Sequence, residues 1–418
     1  MDFTPVKEVK EVEEREIKYS VGSFTNIGGG YENQDRVATF DLDDGTKVML
    51  VADGHGKQYG EFFARETIDF LKKYFFEKFE SQFHEDKRAF IQQMFKDNQN
   101  HLRESIIGEL TSKGYIVDES NGYPIYKANN DHSEWSVLLG GTTLSMVIIT
   151  DNKMYIANVG DSSGKLCSLN KSLSKRFIRY LSDTSLDADQ SDTKQMEINA
   201  SYGMVGSVHS DTLDLIRNHD CQDLEEFKAC IGRCPNPDNL SEPILDFKYD
   251  TRNVGKYPIF SISTENICKG PLPPSSLYYY KDVNRTIATL VASPKLPYSP
   301  WNVALAFTRS FGDFALNNMG LTFLPEIQEI DIDEVFDSQP EDPMLCLALC
   351  TDGVWDNWTD KNLQEFVCHA SCVDAVRNHD NGAQRVCDSF CARNELFGRN
   401  NFGSTRDNAS GILMYITR

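Results

Sequence analysis

Four times along this chain an apolar run meets an acidic turn. Val48, Met49, Leu50 and Val51 climb into Ala52-Asp53-Gly54-His55-Gly56, Lys153 to Val159 ends at Gly160-Asp161-Ser162, and Met344 to Cys350 ends at Thr351-Asp352-Gly353. The fourth case is reversed, with Asp407-Asn408 opening the run Gly411 to Ile416. Short apolar runs bounded by glycine or asparagine turns read as buried strands. Any one of these aspartates could be an ordinary turn former. Four carboxylates at buried strand ends are another matter, because desolvating them together is costly unless a cation neutralises them. All the candidate ligands are oxygens and the turns hold no paired Cys or His, so Mg²⁺ or Mn²⁺ suits them better than Zn²⁺. Two such ions about 3.5 to 4 Å apart can turn water into a nucleophile near neutral pH.

Between the acidic turns the periodicity changes. Phe63, Thr67, Phe70, Leu71 and Tyr74 recur at helical spacing, a second helical pattern runs from Arg88 to Leu110, and a third from Thr359 to Leu396. Further strand-like runs cover Thr143 to Ile149 and Lys153 to Val159. Strands and helices come in blocks and not in strict alternation, which points to an α+β fold with antiparallel strands. Residues 1–18 are charged and lack an apolar face, so a flexible N-terminal arm is expected there. Residues 19–418 are then expected to form one domain. Residues 206–300, rich in proline and aromatic runs such as Tyr278-Tyr279-Tyr280, read as an insertion packed on that body.

Charge narrows the function. With 63 acidic against 42 basic residues the formal net charge is −21, which repels nucleic-acid phosphates and anionic membranes. There is no secretory-signal layout at the N-terminus and no run of about 18 apolar residues, so a monomeric cytoplasmic or nuclear protein without membrane insertion is expected. Eleven cysteines, an odd number, read as reduced thiols. Cys368 with Cys372, Cys387 with Cys391, and the trio Cys221, Cys230 and Cys234 with His219 have metal-ligand spacing, but buried thiols explain them more simply.

An ordered series of blocks resembles the metal-dependent protein serine/threonine phosphatases of type 2C. They are Asn33-Gln34-Asp35, Val51-Ala52-Asp53-Gly54-His55-Gly56, Gly140-Gly141-Thr142-Thr143 and Ala157-Asn158-Val159-Gly160-Asp161-Ser162. Thr308-Arg309-Ser310-Phe311-Gly312-Asp313, Thr351-Asp352-Gly353-Val354-Trp355-Asp356 and Asp407-Asn408 follow in family order. The resemblance implies a central β-sandwich flanked by helices on both sides, in α/β/β/α layers, with two Mg²⁺ or Mn²⁺ ions at one end. It implies that Asp53 bridges both metals, the Gly54 carbonyl ligates one, and Asp352 and Asp407 hold the other. Asp35 would hold metal-bound water, and Asp161 with Asp352 would bind a weaker third ion. His55 would be the general acid that protonates the departing serine or threonine oxygen, with phosphoproteins as substrates in signalling.

The chain also departs from the family pattern. Many members carry a phosphate-clamping arginine five residues before the early Asp, where this chain has Gly30. Arg36 and Lys57 are the nearby cations that could contact phosphate instead. Gln34 replaces a glutamate, Ser163 stands where an arginine is common, and the histidine expected after Leu181-Ser182 is absent. Gly30 keeps a rival reading open, a pseudophosphatase that binds without turnover. A second rival, a two-metal nuclease, fits poorly with the acidic surface.

Overall fold

The computed structural model describes residues 16–130, 132–169, 173, 175–181, 212–216, strand segments between 235 and 295, 296–299, 302–305, 307–339 and 343–418. The first strands are β1 (Lys18–Asn26), β2 (Arg36–Asp41), β3 (Lys47–Ala52) and β4 (Gly54–His55). Two long helices follow, α1 (Gly60–Gln82) and α2 (Lys87–Ser112). Next come β5 (Gly141–Thr142), β6 (Leu144–Thr150), β7 (Lys153–Val159) and β8 (Ser163–Ser168). The C-terminal part contains β9 (Phe311–Gly312), β10 (Glu326–Asp331), β11 (Met344–Cys350), helices α3 (Asp360–Val367), α4 (Ala370–Asn378) and α5 (Gly382–Phe402), and β12 (Ala409–Thr417).

Two antiparallel sheets form the body. One has the order β1-β12-β11-β8 with Thr212–Asp214 at its edge; the other has Arg179–Tyr180, then β10-β7-β6-β3-β2. The alternation of side chains along each strand explains why they stack. In β11, Leu345, Leu347 and Leu349 face the second sheet, where Met49, Val51, Val147 and Ile156 meet them. The intervening Cys346, Ala348 and Cys350 face the opposite way, onto Trp358, Val386, Cys387 and Phe390 from the C-terminal helices. Val48, Leu50, Met146 and Tyr155 on the outer face of the second sheet pack against Phe63, Phe75, Met94 and Phe95 of α1 and α2. A run such as MLCLALC is apolar throughout because both of its faces are covered. The layers are α/β/β/α, as expected.

Several boundaries differ from the expectation. Lys18 already belongs to β1 and pairs with Thr417, so the charged segment is not an arm up to residue 18. Residues 1–15 lie outside the described residues. The single helical stretch after Thr359 is three helices, broken at His369 and between Asn378 and Gly382. Thr359 caps the first of them by accepting from the Asn362 amide at 3.2 Å. Most of the 206–300 segment is outside the described residues, including Cys221, Cys230, Cys234 and His219; four antiparallel strand pairs are described between 235 and 305. No helix among the described residues is long and apolar enough to cross a membrane.

Candidate active site

All the singled-out aspartates lie at one end of the sandwich. Asp53 follows β3, Asp161 follows β7, Asp352 follows β11, Asp407 precedes β12 and Asp35 precedes β2. The register enforces this, since Arg36 pairs with Ala52 and Cys350 pairs with both Ser163 and Gly411. Chain segments more than 350 residues apart therefore place their carboxylates together.

A polar scaffold holds the ends in place. Asn408 binds the early acidic loop three ways: its Oδ1 accepts from the Gln34 amide at 2.8 Å, and its Nδ2 donates to the carbonyls of Ile27 at 2.7 Å and Glu32 at 3.2 Å. The Thr351 hydroxyl donates to Asp35 Oδ2 at 3.0 Å and accepts from the Ser410 amide at 3.0 Å. Asp53 is fixed through its backbone, its amide donating to Thr143 Oγ1 at 3.1 Å and its carbonyl accepting from the Thr143 amide at 2.8 Å. Gly54 has no room for a side chain, because a Cβ there would collide with the Gly60 carbonyl. This keeps the Gly54 backbone close against the start of α1.

The electrostatics are those of a site under like-charge repulsion. Burial pushes Asp53 well above the usual carboxylate range, and the charges of Asp35, Asp352, Asp407 and Asp161 push it further. Asp352 is raised by burial and then by Asp161, Asp407, Asp356 and Asp35. Asp35, only 1% exposed, is raised to about 6, with burial outweighing the stabilising hydroxyls of Ser410 and Thr351. Two carboxylate oxygens, Asp35 Oδ1 and Asp352 Oδ1, are buried without a hydrogen-bond partner among the described residues. Unpaired buried oxygens facing several negative charges are stabilised by a divalent cation, so the donor set fits Mg²⁺ or Mn²⁺. Among the described residues, no three His, Cys, Asp or Glu side chains are closed into a metal-ligating group as they stand. The neighbourhood is therefore established by charge and by unpaired oxygens.

His55 lies beside this cluster on β4. Its Nε2 is 2.6 Å from Asp313 Oδ2, its ring packs edge-on against Phe307 with centroids 5.0 Å apart, and its Nδ1 is buried without a partner among the described residues. Asp313 does not stand out in the sequence, because Gly-Asp is an ordinary turn pair. Thr351 and Asn408 were missed likewise, since their partners are hundreds of residues away. Arg36 is engaged: it pairs with Glu61 and donates to the carbonyls of Asn33 at 3.0 Å and Asp35 at 2.6 Å, bracing the acidic loop. Lys57 is exposed and makes no ion pair among the described residues. A Cβ at Gly30 would meet nothing closer than 3.5 Å, so the lack of a side chain there is not a packing requirement.

Residues 25–180 match a family model described as protein phosphatase 2C, and residues 297–395 match a second model of the same description. Together they span more than half of the chain. This chain belongs to the protein phosphatase 2C family. Solved structures similar to this family member include a C. elegans sex determining protein, at 13% identity and TM-score 0.48, covering 94% of this chain and 64% of that one. The serine-threonine phosphatase 2C of Toxoplasma gondii aligns at 15% identity and TM-score 0.46, covering 96% and 95%. A Mycobacterium tuberculosis serine/threonine phosphatase aligns at 11% identity and TM-score 0.41, covering 95% and 97%. The chain thus spans about two thirds, 64%, of the length of the first of these structures. Comparison with curated proteins gave no match. The two family-model matches include Asp35, Asp53, His55, Asp161, Asp313 and Asp352, while Asp407 lies beyond the second match.

Proposed function

We propose that this member of the family hydrolyses phosphoserine and phosphothreonine in proteins at the acidic end of its sandwich. The observation that carries this reading is the gathering of carboxylates from five chain segments, whose charges together with burial raise the proton affinity of Asp35, Asp53 and Asp352, with Asp35 Oδ1 and Asp352 Oδ1 buried and unpaired among the described residues. Asp53, the Gly54 carbonyl, Asp352 and Asp407 would hold two Mg²⁺ or Mn²⁺ ions, and Asp161 with Asp352 a weaker third. Such ions, when bound, neutralise the cluster and make water acidic enough to attack phosphorus. The protein's own groups do the rest. With Oδ2 bound to the Thr351 hydroxyl, Asp35 has Oδ1 left to orient a water. His55 supplies the proton for the departing serine or threonine oxygen. Lys57, exposed on the loop after His55, is the candidate for contact with the phosphate, whereas Arg36 is held by Glu61.

The test is phosphate release from a phosphothreonine peptide by the full chain. Release with Mn²⁺ or Mg²⁺ and its loss on adding EDTA are expected. A second reading, a phosphoprotein-binding relative without turnover, is favoured by Gly30 and by the engagement of Arg36. Calorimetric binding of Mn²⁺ and phosphopeptide without release of phosphate would replace the first reading with the second.

A further inference from the structure

We propose that Asp313 is the positioning residue of His55, holding the imidazole with Nε2–H toward the carboxylate so that Nδ1 is the nitrogen left to serve the reaction. The inference rests on the phosphatase reading for its kinetic consequence, but its structural content stands apart from it.

The geometry around Asp313 is costly unless the carboxylate has a purpose. Its φ is 41°, in the left-handed region that a non-glycine residue seldom occupies. Its amide donates to the Gly140 carbonyl at 3.0 Å. The preceding Gly312 is clamped from α2 by Gln99, which donates to the Gly312 carbonyl at 3.0 Å and accepts from its amide at 2.9 Å. Gly141 leaves space for the carboxylate, since a Cβ there would collide with Asp313 Oδ2. Although Asp313 precedes the short 3₁₀ helix Phe314–Met319, its side chain makes no capping bond to it, which removes the ordinary reason for an aspartate at that position. Instead Oδ2 receives the Ser310 hydroxyl at 2.7 Å and His55 Nε2 at 2.6 Å.

An ionised carboxylate only accepts hydrogen bonds, so Nε2 is the protonated nitrogen of this pair. Nδ1 is then the nitrogen that takes up the second proton in the imidazolium form, and it is that proton which can be given to the leaving group. As the bond from phosphorus to the serine or threonine oxygen breaks, its electron pair stays on that oxygen, which takes the Nδ1 proton. Water contributes hydroxide to phosphorus, and its remaining proton converts the neutral imidazole back to the imidazolium, so the step balances. An alkoxide needs this proton, whereas p-nitrophenolate, a stable anion, leaves without one.

Two measurements on the full chain test the proposal. In the first, Asp313→Asn with Mn²⁺ is expected to lower kcat on a phosphothreonine peptide by about 10- to 100-fold. On p-nitrophenyl phosphate it should change kcat by less than about threefold, and in a His55→Ala background it should have little further effect. Equal losses on both substrates, or an undiminished loss without His55, would overturn the positioning role in favour of a structural one. Wild type inactive on both substrates would instead sink the phosphatase reading and the kinetic role with it. The second measurement needs neither turnover nor a folded variant: ¹⁵N NMR of histidine-labelled wild type should show neutral His55 as the Nε2–H tautomer, and an Nδ1–H tautomer would refute the pairing.

Discussion

The acidic end of the sandwich and the thiol-lined layer beneath the C-terminal helices both contain clusters of metal-ligand residue types, yet they differ in every physical respect that matters. Cys167, Cys346, Cys350 and Cys387 are buried among Trp358, Val386 and Phe390, and burial pushes the Cys167 and Cys387 thiols up to about 12. A thiol that remains protonated inside an apolar layer packs as a small hydrophobe. Among the carboxylates, Asp35, Asp53 and Asp352 also have a raised proton affinity, but it comes from neighbouring charges as well as from desolvation, and Asp35 Oδ1 and Asp352 Oδ1 have no partner among the described residues. Residue type thus does not define a site. Unsatisfied charge held in place by well-satisfied backbone does.

That contrast can be broken by experiment. The largest effect is expected from Asp53→Asn, which should reduce cation-dependent phosphate release by more than about 100-fold, beyond what loss of a supporting contact gives. The same change should raise the melting temperature in EDTA, because it removes a repelled, buried charge. A lower melting temperature in EDTA would mean that the carboxylate is structural and the repulsion idle.

Next in size is a pH effect. Asp35 binds its proton more tightly folded, at about 6, than unfolded, at 3.8. The folded state therefore holds the extra proton between those values, and stability is lost as pH rises through that window. The loss is on the order of 3 kcal/mol at 1.36 kcal/mol per pH unit. Denaturant titrations in EDTA from pH 4 to 7 should show wild type losing stability relative to Asp35→Asn, with Mn²⁺ restoring much of it at pH 7. A constant difference between the two proteins across the window would contradict the assignment.

The smallest effect lies in the other region. Cys350→Ser should cost about 1 to 3 kcal/mol by placing a hydroxyl in an apolar layer, while leaving Mn²⁺ binding and kcat unchanged. A Mn²⁺ affinity that falls with Cys350→Ser would erase the distinction drawn between the two clusters.

Much of this was legible before any coordinates. β7 and β11 have the boundaries of their apolar runs because both faces of each strand are covered, and α1 and α2 follow their periodic apolar stripes. β1 was not legible: Lys18-Tyr-Ser-Val-Gly-Ser-Phe-Thr-Asn has a polar, edge-strand composition and is a strand because β12 lies beside it. The break between α3 and α4 was hidden for a different reason, since His369, which caps α4 by accepting from the Ser371 amide, is not one of the usual cap residues. At the site, the aspartates announced themselves by strand ends. Asp313, Thr351 and Asn408 did not, because each is a common turn or cap residue whose importance lies in a partner far away in sequence. The family-clamp position at Gly30 was visible as a departure, and only the contacts of Arg36 revealed that this neighbouring cation is already occupied.

The pairing of β12 between β1 and β11 has a consequence for how the protein is made. Asp407 and Asn408 enter the sheet with β12, so the acidic cluster closes only once the more than 350 residues between Asp53 and Asp407 have been made. Until β12 has emerged, β1 has no sheet partner among the described residues and the early acidic loop lacks its three contacts to Asn408. Such non-local closure should make the docking of β12 a slow folding step.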